Sequence, residues 1–391
     1  MDVTAEPLET LRTRTSMKWR AQPDDVLPLF VAESDFPLAT PVAGALHAAI
    51  ARSDTGYAPP TSDLPEAFAS FAAERWGWQV DPAQVWTTTD VGVAIVETLR
   101  RVTKPDDGVI INPPVYFPFF DLVVESGAEL VEVPLLGGLD EGWSLDLDGI
   151  ERAFAAGARA YLLCNPHNPV GRAHSAEELR AVAELAARYG ATVLSDEIHG
   201  PLSYPGSTFT PFLSVSDAAR EIGVCVTAAS KAFNLAGLKC AMLVTAAEPN
   251  SRIIGSMPLE VYWRTSILGL IASIAAYRDG GEWLDGVLAS LDANRLLLAD
   301  LLAKHLPEVG YRMPEATYLA WLDFRELDWG ADPAELALEH ARVALSNGPP
   351  FGASGAGFAR LNLACSPEVL TEAVRRLAAA RASASSAATS T

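Results

Sequence analysis

The sequence predicts an α/β protein, with a mostly parallel central sheet in a large domain and a smaller αβ domain beside it. Three observations carry this. From about residue 85, short apolar runs alternate with amphipathic helical stretches. Polar residues able to do chemistry sit just past the carboxyl ends of three of those runs, where parallel sheets bind ligands. The chain has 391 residues, 49% of them hydrophobic, which is too long for one small core and suits two packed domains.

The elements follow in order. Thr89-Asp90-Val91-Gly92-Val93-Ala94 opens a helical run to Arg101. Gly108-Val109-Ile110-Ile111 reads as a strand, Phe119 to Gly127 as a helix, and Leu130-Val131-Glu132-Val133 as the next strand. Ala160 to Cys164 is a third strand. Ser175 to Tyr189 is the clearest helix: Ser175 caps it, Glu178 completes a capping box and Gly190 stops it. Ala191 to Ser195 and Gly223 to Val226 are strand-like again. A long helical region, Leu268 to His305, leads to a second segment with two alternating strands, Tyr318 to Leu322 and Phe358 to Leu363. The expected division is an N-terminal segment 1–44 joining the small domain, a large domain 45–275, a small domain 276–381 and an Ala/Ser/Thr-rich disordered tail 382–391.

Bulk properties narrow the function. A net charge of −20 argues against a nucleic-acid partner, which needs basic patches. No apolar run approaches the ~18–20 residues of a membrane span. The acidic start, Met1-Asp2-Val3-Thr4-Ala5-Glu6, lacks a basic stretch followed by an apolar one, so no signal peptide is read and a cytoplasmic location is expected. Cys164, Cys225, Cys240 and Cys365 are scattered, and no C-x-x-C pair exists. Neither a disulfide framework nor a metal site is expected.

Three strand ends then carry chemistry. Lys231 follows small residues in Thr227-Ala228-Ala229-Ser230-Lys231-Ala232-Phe233-Asn234-Leu235-Ala236-Gly237-Leu238-Lys239. A lysine there is a candidate to tether an aldehyde cofactor and move protons, although an isolated lysine in a polar turn is only a solvated charge. Asn165-Pro166-His167-Asn168-Pro169-Val170-Gly171 is a turn by composition. Ser195-Asp196-Glu197-Ile198-His199 ends another run, and its Asp196 reads either as a helix N-cap or as a carboxylate facing a ligand.

In this order the signals resemble the pyridoxal 5'-phosphate enzymes of the aspartate-aminotransferase fold type, fold type I. The resemblance implies roles. Lys231 anchors the cofactor, Asp196 pairs with its ring nitrogen, Asn168 bonds its phenolic oxygen with His199 beside it, and Tyr116 stacks on the ring. Val91 and Gly92 amides, Ser230 and Lys239 hold the phosphate, and Arg360 clamps the substrate α-carboxylate, with Asn168 and Tyr57 also near the substrate.

Over nearly the whole chain the details resemble the MalY/PatB group of cystathionine β-lyase-like C–S lyases. The matching residues include Thr15-Ser16-Met17-Lys18-Trp19, Ala32-Glu33-Ser34-Asp35-Phe36, Gly56-Tyr57, Asp196-Glu197-Ile198-His199 and Ala316 to Asp323. The resemblance implies α,β-elimination from an L-cysteine S-conjugate, cystathionine by default, in a homodimer where Tyr57 reaches the neighbour's phosphate. Asp90-Val91-Gly92, Phe117 in place of a second tyrosine, Glu33-Ser34 and Gly200-Pro201 depart from the group's pattern, which points to a specialised, bulkier conjugate. Transamination, oxidative decarboxylation-deamination of such a conjugate, and a non-catalytic regulatory role are the alternatives.

Overall fold

The computed structural model describes residues 2–388, with side chains to residue 381. Its centre is a seven-stranded sheet formed by β1 (Val85–Thr88), β2 (Gly108–Ile111), β3 (Glu129–Glu132), β4 (Ala158–Cys164), β5 (Thr192–Asp196), β6 (Gly223–Thr227) and β7 (Ala241–Val244), in the order β1-β7-β6-β5-β4-β2-β3. The five strands from β6 to β3 are parallel. β7 runs antiparallel to both β1 and β6. Strands β2, β4 and β6 are almost wholly buried, as expected where helices cover both faces of a parallel sheet.

The covering helices form where sequence patterning predicts them. α1 (Val91–Val102) is capped by Asp90, whose carboxylate accepts the Val93 amide at 2.9 Å. α2 (Pro118–Ser126) starts on a proline and ends at Gly127, φ 89°. α3 (Ala176–Tyr189) has the full capping box of Ser175 and Glu178 and stops at Gly190. The expected long helix from Leu268 is two: α4 (Ile267–Asp279) and α5 (Gly281–His305). The break falls at Gly280, where a Cβ would lie 2.6 Å from the Phe233 ring and 2.5 Å from the Ala276 carbonyl. Only glycine fits that close approach to the loop after Lys231.

The second sheet has four antiparallel strands, β8 (Gly310–Tyr311), β9 (Leu319–Asp323), β10 (Ser346–Asn347) and β11 (Phe358–Asn362), in the order β8-β9-β11-β10. The N-terminal segment reaches it: Leu27–Pro28 and Val343–Ala344 form a separate parallel pair, and the Asn362 amide donates to Leu29 O at 2.9 Å. Residues 29–36 then run as an irregular strap between the two sheets. A final helix, α6 (Pro367–Ala388), packs on α5 and continues into the segment 382–391 expected to be disordered; residues 389–391 lie outside the described residues.

Candidate active site

β4, β5 and β6 are adjacent and parallel, so the loops leaving their carboxyl ends open on one cleft. The cleft is a cavity of about 330 Å³. Its wall includes Val91, Gly92, Tyr116, Asn168, Asp196, His199, Ser230, Lys231 and Lys239. Nine residues singled out in the sequence therefore meet in one place. Arg360 stands just behind the wall, and Tyr57 lies elsewhere.

After β4 the chain turns tightly to present Asn168. The His167 amide donates to Arg172 and the Gly171 amide to His167, at 2.7 and 2.8 Å. Gly171 has φ 70°, and a Cβ there would strike Pro314 at 2.3 Å. The Asn168 amide donates to the Cys164 sulfur at 3.4 Å, so this wall cysteine braces the turn. The Asn168 side-chain oxygen accepts from Arg360 Nη1 at 3.0 Å.

Asp196 ends β5 with 5% exposure and accepts the Ile198 amide at 3.1 Å. Burial pushes its carboxyl up to about 7; the Ile198 bond and the Lys231 charge offset this only partly. His199 also lines the cavity. Its Nδ1 is buried without a hydrogen-bond partner, and burial beside Lys231 and Arg360 pulls the ring down to about 3, so it is neutral.

Lys231 follows β6, and its Nζ donates to the Ala32 carbonyl at 3.0 Å. Burial, together with the Arg360 charge, pulls the amine down to about 8, against Glu33 and Asp196, which raise it. An amine titrating there can act as nucleophile or base near neutral pH. Tyr116, raised to about 12 by burial, supplies an aromatic wall without ionising.

At one end of the cavity, the first-turn amides of α1, Val91 and Gly92 among them, have no helical carbonyl to bond. Ser230 and Lys239 stand beside them. This cradle suits an anion, with one departure: Lys239 is paired with the Asp90 carboxylate at 3.2 Å. Behind the Asn168 wall, Arg360 is 4% exposed, donates to Phe30 O, Ser346 Oγ and Asn168 Oδ1, and keeps its Nε unpartnered. It enters no ion pair among the described residues.

A pyridoxal phosphate fits these residues. The unpartnered His199 nitrogen, the scarcely neutralised Asp196, the α1 amides and the Lys231 amine match its phenolic oxygen, ring nitrogen, phosphate and aldehyde in turn.

Sequence reasoning assigned no role to the strap. Ala32 is on the cavity wall, Asn362 Nδ2 donates to Val31 O and Glu33 O at 2.7 Å each, and Tyr318 OH donates to Ala32 O at 2.9 Å. The only signal was that Ala32 to Phe36 and Tyr318 stand in matching stretches of the lyase group. Tyr57 is 82% exposed, its ring 5.8 Å from Trp263, and it does not reach the cavity of its own chain.

The sequence matches the family of aminotransferase class I and II over residues 25–377. A Mycobacterium tuberculosis protein provisionally named a cystathionine beta-lyase is 47% identical, over 95% of this chain and 96% of its own. The cystathionine beta-lyase of Corynebacterium glutamicum is 38% identical over 95% and 98%. Among solved structures, cystalysin from Treponema denticola, which contains a pyridoxal 5'-phosphate cofactor, superposes with a TM-score of 0.90 at 30% identity, covering 97% of this chain and 98% of that one. The chain belongs to the aminotransferase class I and II family.

Proposed function

We propose that this protein is a pyridoxal-phosphate-dependent carbon–sulfur lyase that splits an L-cysteine S-conjugate into a thiol, pyruvate and ammonia. The observation that carries an amino-acid substrate is Arg360. A buried guanidinium with no carboxylate partner and a free Nε calls for an anion, and a substrate α-carboxylate in bidentate contact supplies one. The lyase names of the relatives set the reaction class.

Bound in the cleft, the cofactor supplies an electron sink for negative charge developing at the substrate Cα. The protein residues do the rest. Asp196 holds a proton at the ring nitrogen. Asn168 takes its orientation from Arg360, so the cofactor contact and the carboxylate clamp share one hydrogen bond. The Lys231 amine removes the α-proton, after which the thiolate leaves from Cβ. Half-buried Tyr116 and Ala32 of the strap wall the cavity, and water enters the balance only after the thiolate has left, hydrolysing the released aminoacrylate to pyruvate and ammonia.

A specialised S-substituent is supported by Phe117. It is 42% exposed beside Tyr116, and its ring lies 5.5 Å from Phe351, over which Arg360 sits at 5.0 Å. An apolar edge there favours an apolar substituent over the charged tail of cystathionine. We also propose a homodimer, on the exposed Tyr57–Trp263 pair and Leu259, with Tyr57 serving the partner's site. Four free, buried cysteines support a cytoplasmic location. Among the described residues, no helix is long and apolar enough to cross a membrane.

The test is turnover of L-cystathionine and S-alkyl or S-benzyl cysteine by the holoenzyme without any keto acid. Thiol and pyruvate in equal amounts are expected. Turnover only when a keto acid is added overturns the lyase in favour of transamination.

A further inference from the structure

The strap 30–36 is tied at every backbone carbonyl, from both sides of the cleft. From the small sheet, Ser346 Oγ and Arg360 donate to Phe30 O, Asn362 donates to Val31 O and Glu33 O, and Tyr318 OH donates to Ala32 O. From the lysine loop, Asn234 pairs with Ser34 like a strand neighbour: its Oδ1 accepts the Ser34 amide at 3.0 Å and its Nδ2 donates to the Ser34 carbonyl at 2.9 Å. Asn234 does so from a left-handed backbone, φ 58°, three residues after Lys231. Below the strap, Lys18 and Asp35 form an ion pair at 2.7 Å with side-chain exposures of 0% and 1%. What this clamping holds still, inside the cavity, is one carbonyl oxygen.

We propose that the Ala32 carbonyl is the berth of the Lys231 amine whenever that amine is free of the cofactor, and that Asn234 and Tyr318 are positioning residues that fix the carbonyl from the two sides of the cleft. The oxygen has two lone pairs and receives two donors, Lys231 Nζ at 3.0 Å and Tyr318 OH at 2.9 Å. A neutral amine that donates an N–H to a carbonyl keeps its own lone pair unshared, so the berth orients the nitrogen without quenching it. An unheld lysine has a long, flexible stem and spreads over many positions. The berth converts it into a base with one address, which is what proximity requires. It needs no movement of the strap, since the carbonyl is already over the site.

The inference rests on Lys231 being the cofactor's anchor, and its test separates the two claims. Cofactor-free protein is mixed with pyridoxal phosphate across a pH series, and the captured cofactor is trapped with borohydride and mapped by peptide mass spectrometry. The groups facing Lys231 are Arg360, Glu33, Asp196, Lys239, Tyr318 and His199, all retained in the variants except where named. In the native protein, capture at Lys231 should rise through a midpoint near 8. The carbonyl bond favours the charged amine, so loosening the strap in Asn234→Gly should lower the midpoint by about one unit, whereas Tyr318→Phe, which frees the shared oxygen of its second donor, should raise it. Glycine keeps the φ of 58° without strain. Amides of residues 30–36 should also exchange about tenfold faster in Asn234→Gly. A midpoint that stays or falls in Tyr318→Phe, which keeps the ring packing, overturns the berth even where Asn234→Gly does not fold. Trapping at a residue other than Lys231 in the native protein overturns the anchor assignment, and the berth with it.

Discussion

The cavity has one cation on its wall, Lys239, and one behind it, Arg360, and their surroundings treat them oppositely. Lys239 is half exposed and already paired with Asp90, with side-chain exposures of 56% and 38%. Arg360 is buried, and burial pulls it down to about 10 with no acid to compensate. A charge in water and next to a counter-ion does little for an incoming anion, whereas a desolvated, unpaired one is worth a great deal to the ligand that neutralises it. On the proposed assignment, the phosphate is therefore retained by many small contacts, chiefly backbone amides, and the substrate carboxylate is discriminated by one strong contact with Arg360.

The largest test of this contrast is Arg360→Lys. Replacing a planar fork by a point charge at a buried bidentate site should lower kcat/KM about 10²-fold while leaving cofactor affinity near native. Loss of cofactor instead of substrate affinity breaks the division between the two cations.

Asp196 shares the Arg360 condition of burial without adequate neutralisation. Its carboxyl is raised from 3.8 to about 7, so the folded cofactor-free protein keeps a proton that the unfolded chain gives up between those values. Its contribution to stability therefore falls as pH rises from about 4 to 7 and stays unfavourable above. Asp196→Asn should stabilise the cofactor-free protein at pH 8 by roughly 2–4 kcal/mol, with the gain fading toward pH 4. Urea melts at the two pH values check this, and the same variant should lose most activity as holoenzyme. A gain independent of pH would place the effect elsewhere.

At the solvated cation the effect should be smaller. Asp90→Asn keeps a side-chain cap for the Val93 amide and releases Lys239 to the phosphate. Cofactor affinity, measured by fluorescence titration, should tighten about three- to tenfold at low salt and less at high salt. Weaker binding would mean that Asp90 orders the cradle and does not compete for it. Least of all, Phe117→Tyr should shift the ratio of kcat/KM for S-benzyl cysteine over cystathionine by about two- to fivefold toward cystathionine.

What was legible in the sequence is what is local. The capping box of Ser175 and Glu178, and the strand ends before Asn168, Asp196 and Lys231, are set by neighbours a few residues apart, and the structure places them as read. β7 had no comparable signal: four apolar residues make a strand, but their direction comes from pairing with β1 and β6. The Asn234–Ser34 latch joins residues 200 apart, and Asp90–Lys239 joins residues 149 apart. No periodicity encodes such contacts. Asn234 stood in the lysine motif with its purpose unread, since a polar residue in a turn looks the same whether it meets water or a strap.

The adjacency of β4, β5 and β6 has a consequence for how this chain can vary. Neighbouring strands lie about 4.7–4.9 Å apart, so the sheet acts as a ruler whose graduations are hydrogen-bonded steps. Asn168, Asp196 and Lys231 occupy three successive marks. The 28 residues from 168 to 196 and the 35 from 196 to 231 are slack paid out around helices and loops. Insertions between the marks, as in the loop near Gly206, can lengthen the chain without moving one reacting group relative to another. A one-residue slip within β5 would leave the chain length intact and turn Asp196 to the other face of the sheet.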